Sequence, residues 1–294
     1  VHLDDLILLA AIPAFGLSMA LEAWKLRGGD HGHKGYTPAD SFGSLSLGIG
    51  YLGIAAVYKV VFVGAMLWLY QFRLFDIEVG LLSWLALVVL DDLCMYASHR
   101  AGHEVRILWC AHHQHHSSDH YNLSTALRQS WTEHLTAPLF WAILPLIGFP
   151  VEMILVQMAL NLLYQYWLHT ELIGDMGRFG WVFNTPAFHR VHHGRNPQYL
   201  DRNYGGIFIV WDRLFGTFEP EGEPVDYGVT NPVGSDNPFR IAAHEYLHLW
   251  EDLRQVRSLR GALGVVFGPP GWSESGRHQT AADARRSWEA QLGG

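Results

Sequence analysis

The chain has 294 residues, of which 49% are hydrophobic and 16% charged, against roughly 25% charged in an ordinary soluble domain. The shortage of charge and a formal net charge of −8 argue against a disordered chain and leave no basic footprint for nucleic acid. Two cysteines, Cys94 and Cys110, exclude a disulfide framework and a four-cysteine metal site, while the 18 histidines nearly match the 20 Lys and Arg combined.

In chain order, residues 6–21, 41–58, 60–72, 79–90, 134–151 and 153–170 carry no Asp, Glu, Lys or Arg. A bilayer-spanning helix needs about 20 mostly apolar residues. The sequence therefore predicts spans at 6–24, 41–70 and 77–97, then a hairpin at 134–168 that turns in the Pro145 to Pro150 breaker cluster. Lys59 interrupts the second span, and the first leg of the hairpin is short enough to be re-entrant. Asp4 and Asp5 stand where a signal peptide would be basic, so the first segment reads as a retained helix. Lys25, Arg27 and Lys34 place the 25–40 loop in the cytoplasm by the positive-inside rule. Counting crossings from there brings the histidine-rich segments to the same side. Beyond residue 175 the chain turns polar; residues 207–218 read as a buried strand or a short membrane-facing helix, and 239–260 as an amphipathic helix ending near Gly261. The expected fold class is all-α: a multi-pass integral membrane helical protein with a cytoplasmic histidine-rich cap holding a dimetal centre. The expected regions are 1–90, transmembrane; 91–218, catalytic, with the 134–168 hairpin inside it; and 219–294, a cytoplasmic tail.

The histidines are patterned. His99 and His103 are spaced i, i+4, and H-x-x-H-H occurs twice, at His112, His115 and His116 and at His189, His192 and His193. Positions i, i+3 and i+4 share one helix face, so several imidazoles can converge on one ion. Random placement would give roughly 0.07 copies of this motif, which makes two copies a signal. Eight imidazoles exceed the four that one tetrahedral zinc uses and suit two metals; His169, at the exit of the hairpin, is a ninth candidate. Imidazole suits Fe, Zn, Cu and Ni, and the missing thiolates exclude iron–sulfur chemistry. Neutral ligands leave such a centre cationic, so carboxylates are expected to orient the rings, with Asp91, Asp92, Asp119, Glu171 and Asp201 as candidates. His2, His31, His33 and His278 read as solvated, His120 and His134 as secondary polar candidates, and His113 as a variable place within its motif. No G-x-G-x-x-G or P-loop is present for a nucleotide, so electrons would come from an external donor.

Two other readings compete. His244, Glu245 and His248 match H-E-x-x-H, the helix signature of zinc hydrolases. A membrane metal-binding or transport protein would also carry histidine clusters, but with polar residues at the midplane of its spans.

The three histidine boxes, in order and with a hydrophobic hairpin between the second and third, resemble the fatty acid hydroxylase/sterol desaturase superfamily of membrane di-iron oxygenases. The likeness runs from about Asp91 to Thr217. Trp109 to Ser118, Tyr121 to Ser130, Asn161 to Glu171, Asn184 to Pro186 and His189 to Asn196 are most similar to its alkylglycerol monooxygenase subgroup and the bacterial relatives of that subgroup. The resemblance implies metal ligation by His99, His103, His112, His115, His116, His189, His192 and His193, with His169 as a further ligand. It implies two iron ions, O2 as co-substrate, a membrane lipid C–H bond as target, and a redox protein or tetrahydropterin as electron donor. Asp201, Asn203 and Tyr204 match a recurrent stretch of the superfamily and are expected at the catalytic site. The animal members of the subgroup continue into further C-terminal hydrophobic segments that this sequence lacks. That leaves ether lipid or sterol, and hydroxylation, desaturation or ether cleavage, as alternatives. The implied location is a bacterial inner membrane or the endoplasmic reticulum.

Overall fold

The computed structural model describes residues 3–27, 34–136, 138–274, 276 and 278–292. His2, His31 and His33 lie outside the described residues. Twelve α-helices and two isolated β-bridges make up the described regular structure, apart from short 3-10 turns.

Helices α1 (Leu3–Leu26), α2 (Pro38–Tyr70) and α3 (Leu81–Glu104) are long and apolar enough to cross a membrane. In their most apolar 18-residue windows only 6% of α1 and of α2 is buried, against 28% of α3. α3 is thus the inner span, and it carries the first histidine pair. α2 starts cleanly because Thr37 caps it and Pro38 takes a position where no amide donor is needed. The charge inside α2 is not bare: Lys59 Nζ meets Asp4 Oδ2 at 2.7 Å and Asp5 Oδ1 at 2.5 Å. The acidic start of α1 thus neutralises the lysine that interrupts the second apolar run, and α1 and α2 run antiparallel.

The short helix α4 (Arg106–His116) follows α3 after a single extended residue, Val105. The hairpin begins as broken pieces, α5 (Pro138–Trp141) and α6 (Ile143–Ile147), and returns as α7 (Val151–Tyr166). Its turn is at Gly148, with φ +126°, where a Cβ would lie 2.0 Å from the Phe75 carbonyl oxygen. The first leg is too short and interrupted to span, in keeping with a re-entrant reading. Buried Asp91 on α3 accepts from Trp141 Nε1 at 2.7 Å and Asn161 Nδ2 at 2.9 Å, which ties both legs to the inner span.

The remaining helices are α8 (Pro186–His192), α9 (Val210–Phe215), α10 (Pro238–Gln255), α11 (Leu259–Phe267) and α12 (Ala281–Leu292). Residues 207–218 hold α9 rather than a strand; only Phe208 makes an isolated bridge, to Phe183. One expectation for the C-terminal region needs correction. The helix expected over 239–260 ends at Gln255, because Ser258 caps a new helix by accepting from the Gly261 amide, so Gly261 lies inside α11. The region packs against α4. Arg106 of α4 donates to Glu245 at 3.2 Å and Asp252 at 2.6 Å, and Cys110 packs with Leu249 and Val265.

Candidate metal centre

Nine buried imidazoles converge where α3, α4, α8 and the end of α7 meet. They sort into two groups, whose ligand atoms lie within 4.8 Å of one another: His99, His103, His112, His116 and His192; and His115, His169, His189 and His193. The helix period explains the sorting. In each H-x-x-H-H motif the first and last histidines share a face and enter one group, while the middle histidine points to the other. α4 gives His112 and His116 to the first group and His115 to the second; the third motif gives His189 and His193 to the second and His192 to the first. The His99–His103 pair of α3 completes five ligands, and His169 completes four.

Local structure holds each element in place. Thr185 caps α8 and Pro186 occupies its first turn, which starts the helix three residues before His189. Ring orientation comes mainly from backbone carbonyls. Nδ1 of His99 lies 2.8 Å from the Tyr204 oxygen, His169 2.9 Å from Gln165, His192 2.8 Å from Arg202, and His115 3.3 Å from Arg128. Nδ1 in these rings must therefore carry the proton, leaving a lone pair on Nε2.

That assignment tests whether metals fit. His115 Nε2 and His169 Nε2 are 3.1 Å apart, and both carry lone pairs. Two lone pairs at that distance repel unless a cation lies between them. Protonation does not supply it: burial pushes His169 down to about 4, and burial plus neighbouring imidazoles holds His115, His116, His189, His192 and His193 well below the usual histidine range. Nε2 of His99, His192 and His193 is buried without any partner. The other close Nε2 pairs, His103–His116, His112–His116 and His169–His189, are 3.0–3.1 Å apart. The donor set therefore fits a metal ion in each of the two groups.

Of the carboxylates expected to orient the rings, Asp201 stands beside one, with Oδ1 3.6 Å from His103 Nδ1. Burial and nearby Glu104 push its carboxyl up to about 7. Asp91 serves the hairpin, and Asp92 accepts from the amides of Ile207 and Phe208 and from Trp211. Asp119 pairs with Arg195 at 3.4 Å, and Glu171 bonds Tyr227. Carbonyls do most of the orienting because the loops pass within bonding distance, and a neutral acceptor needs no charge partner inside the fold. Glu133, not anticipated, stands 3.8 Å from His112 Nδ1. No motif surrounds Glu133 in the sequence; only the turn at 133–135 brings it there.

Tyr204 is fully buried beside His99, His103 and His192, with ring centroids 5.3–5.9 Å apart and a hydroxyl without a partner. Asp212 fixes it by accepting from the amides of Tyr204 and Gly205 at 2.8 Å. Asn203 does different work from the site role expected of it. Its side chain donates to the Phe188 and Glu219 carbonyls and accepts from the Glu219 amide, clamping the loop after α8. His120 and His134 lie outside both groups, His134 against Tyr51 at 4.2 Å. His113 faces His244 instead, with centroids 5.7 Å apart. The H-E-x-x-H helix does not form a hydrolase site, because Glu245, its would-be base, is buried against Arg106.

A narrow, water-sized crevice lies between Ser98 and Gly102 of α3, His112 of α4, Glu133, Thr136 and Phe140. It joins the re-entrant leg of the hairpin to the first histidine group.

Residues 84–217, the stretch that contains all nine histidines, match the model of the fatty acid hydroxylase family. The alkylglycerol monooxygenase of Danio rerio is 46% identical over 190 residues, covering 65% of this chain and 42% of that protein. The human protein of the same name is 36% identical over 267 residues, covering 89% of this chain and 59% of its own. The ornithine lipid hydroxylase of Rhizobium tropici is 30% identical over 149 residues, covering 50% of this chain and 45% of its own. The chain thus spans about half the length of the curated relatives it matches. No solved structure matches it. With three helices long and apolar enough to cross a membrane, the chain is an integral membrane protein, and it is similar to proteins named as lipid-oxidising enzymes.

Proposed function

We propose that the chain is a membrane-bound, O2-dependent lipid monooxygenase whose nine histidines hold two iron ions. The observation that carries this reading is the pair of buried imidazole groups with facing lone pairs, inside a fatty acid hydroxylase domain. His99, His103, His112, His116 and His192 would hold one ion, and His115, His169, His189 and His193 the other. Bound there, the ions would supply O2 activation, so that a C–H bond, O2, two electrons and two protons give an alcohol and water.

The protein's own residues do the rest. The Nδ1–H bonds to the carbonyls of Gln165, Arg128, Arg202 and Tyr204 keep the Nε2 atoms aimed inward without rearrangement. Asp201 and Glu133 stand 3.6 and 3.8 Å from Nδ1 of His103 and His112, where a carboxylate would offset part of the charge of a bound ion. The Tyr204 hydroxyl is positioned to hold a proton beside the first group. Apolar Leu108 and Phe140 line the crevice toward His112 and would guide a lipid chain, while the burial of all nine rings excludes bulk water.

The similarity to proteins named alkylglycerol monooxygenase favours an ether lipid as substrate over a sterol. A hydroxylated carbon beside an ether oxygen would collapse to aldehyde and alcohol. The reductant is a redox protein or a reduced pterin. By the positive-inside rule the metal groups face the cytoplasm.

The test is metal analysis of the detergent-purified chain, together with O2 uptake and product analysis on alkylglycerol, with a reduced pterin or a ferredoxin-type donor. Two irons per chain and an oxygenated or cleaved lipid are expected. A full zinc complement with no O2 uptake under either reductant would overturn the reading.

A further inference from the structure

Helix α10 has three faces rather than two. Ile241, Glu245 and Leu249 are buried toward the rest of the protein. Arg240, His244, His248, Glu251 and Gln255 form a polar face. Between these, Phe239, Ala243, Leu247, Trp250 and Arg254 follow at i, i+4, i+8, i+11 and i+15, one stripe along the helix. Phe239, Leu247 and Trp250 are 71%, 58% and 61% exposed. α11 repeats the arrangement, with Leu259, Leu263 and Phe267 at i, i+4 and i+8 and 49–77% exposed. A surface of this kind on adjacent helices marks an interaction site rather than scattered exposure.

What covers it follows from its neighbours. The Phe239 ring meets Trp131 edge-on at 5.4 Å, and the Trp131 indole donates to the Leu47 carbonyl of α2 at 3.0 Å. Tyr246, at the edge of the same stripe, donates to Thr132 at 2.8 Å. Residues 131–132 lead directly into the hairpin, where Leu135 and Leu139 are exposed, and the adjoining part of α2 exposes Phe42 and Ile49. The stripe thus continues the apolar surface of the membrane-embedded elements. Its charge matches the edge of a bilayer. Arg240, Arg254, Arg257 and Arg260 are exposed along it, while Glu245 and Asp252 turn inward to Arg106, leaving Glu251 as the exposed acid of α10. An apolar helix face bordered by arginines is the pattern of a helix lying in the plane of an anionic lipid surface.

We propose that α10 and α11 lie in the bilayer interface, with the stripe from Phe239 to Trp250 and the face from Leu259 to Phe267 at the boundary between headgroups and acyl chains, and the arginines on anionic headgroups. Because α10 packs on α4 through Arg106 and Cys110, this anchor fixes the helix that bears His112, His115 and His116 at the depth of the lipid. The proposal rests on the membrane location and not on the metal chemistry.

The test uses the whole chain in vesicles of phosphatidylcholine with or without phosphatidylglycerol. Leu247→Cys and Leu263→Cys are labelled with an environment-sensitive fluorophore, with Gln255→Cys as the polar-face control and the unsubstituted chain as the blank for buried Cys94 and Cys110. Labels at 247 and 263 should emit to the blue and be quenched several-fold by lipids with a nitroxide near the headgroup, and the label at 255 should do neither. Arg254→Glu with Arg257→Glu should reduce the quenching more in anionic than in neutral vesicles. A water-like, unquenched label at both 247 and 263 overturns the proposal. So does a label shielded from water but untouched by the lipid quencher, which assigns the face to protein, such as a second copy of the chain. Metal content of the same samples reports separately on the dimetal reading.

Discussion

His169 is the residue on which the second metal group closes, because α4 and α8 together supply only three of its four imidazoles. His169→Ala should therefore lower bound metal toward one ion per chain and abolish turnover, while His134→Ala, outside both groups, should leave the metal content unchanged. Elemental analysis alongside O2 uptake distinguishes the two. Asp201→Asn removes the carboxylate that stands 3.6 Å from His103 Nδ1. Loss of such a partner costs about 10–100-fold in metal affinity, so the first group should release metal at lower chelator concentration than in the unsubstituted protein. The metal-free protein should also respond to acid in a definite direction. Imidazoles held low in the fold bind protons less readily than the unfolded chain, whose histidines titrate near 6.5. Stability should be flat above about pH 7 and fall as pH drops from about 6.5 toward the His169 value of about 4, by about 1.4 kcal/mol per pH unit for each such group. Thermal unfolding of chelator-treated protein at several pH values measures it; a rise in stability over that window would show the rings to be solvated.

At the level of elements, the contact between α4 and α10 joins the second histidine box to the C-terminal region. Arg106 is buried with two carboxylates, and removing one member of such a set leaves an uncompensated charge, at a cost of about 3–5 kcal/mol. Arg106→Leu should lower the unfolding temperature sharply, and adding Glu245→Gln and Asp252→Asn should recover part of the loss. If the single variant is as stable as the unsubstituted protein, α10 does not support α4. The crevice leading to His112 calls for a different measurement. Thr136→Phe fills its lining, so KM for a long-chain lipid should rise several-fold while metal content stays constant.

Over the whole molecule, the long apolar helices and the hairpin bring donors separated by more than ninety residues of sequence into one buried site. The spans were legible because a bilayer demands runs of apolar residues, and their charge-free lengths survive in α1, α2 and α3 nearly unchanged. The clustering of eight of the nine histidines was legible because i, i+3 and i+4 spacing is a helix property that needs no tertiary information, and His169 was flagged by its place at the hairpin exit. The partners of the rings were not: backbone carbonyls such as Arg128 and Gln165 carry no side-chain signature, and Glu133 reaches His112 through a turn with no motif. Sequence likewise could not reveal that the C-terminal helices pack on α4, since amphipathic spacing marks a buried face without naming what buries it. The sequence by itself marked out the apolar helices and the histidine boxes, because periodicity and hydropathy are local. Only the tertiary structure decided how the histidines divide into five and four, which groups orient them, and that Glu245 is a structural partner of Arg106 rather than a base, because each of these depends on contacts between distant segments.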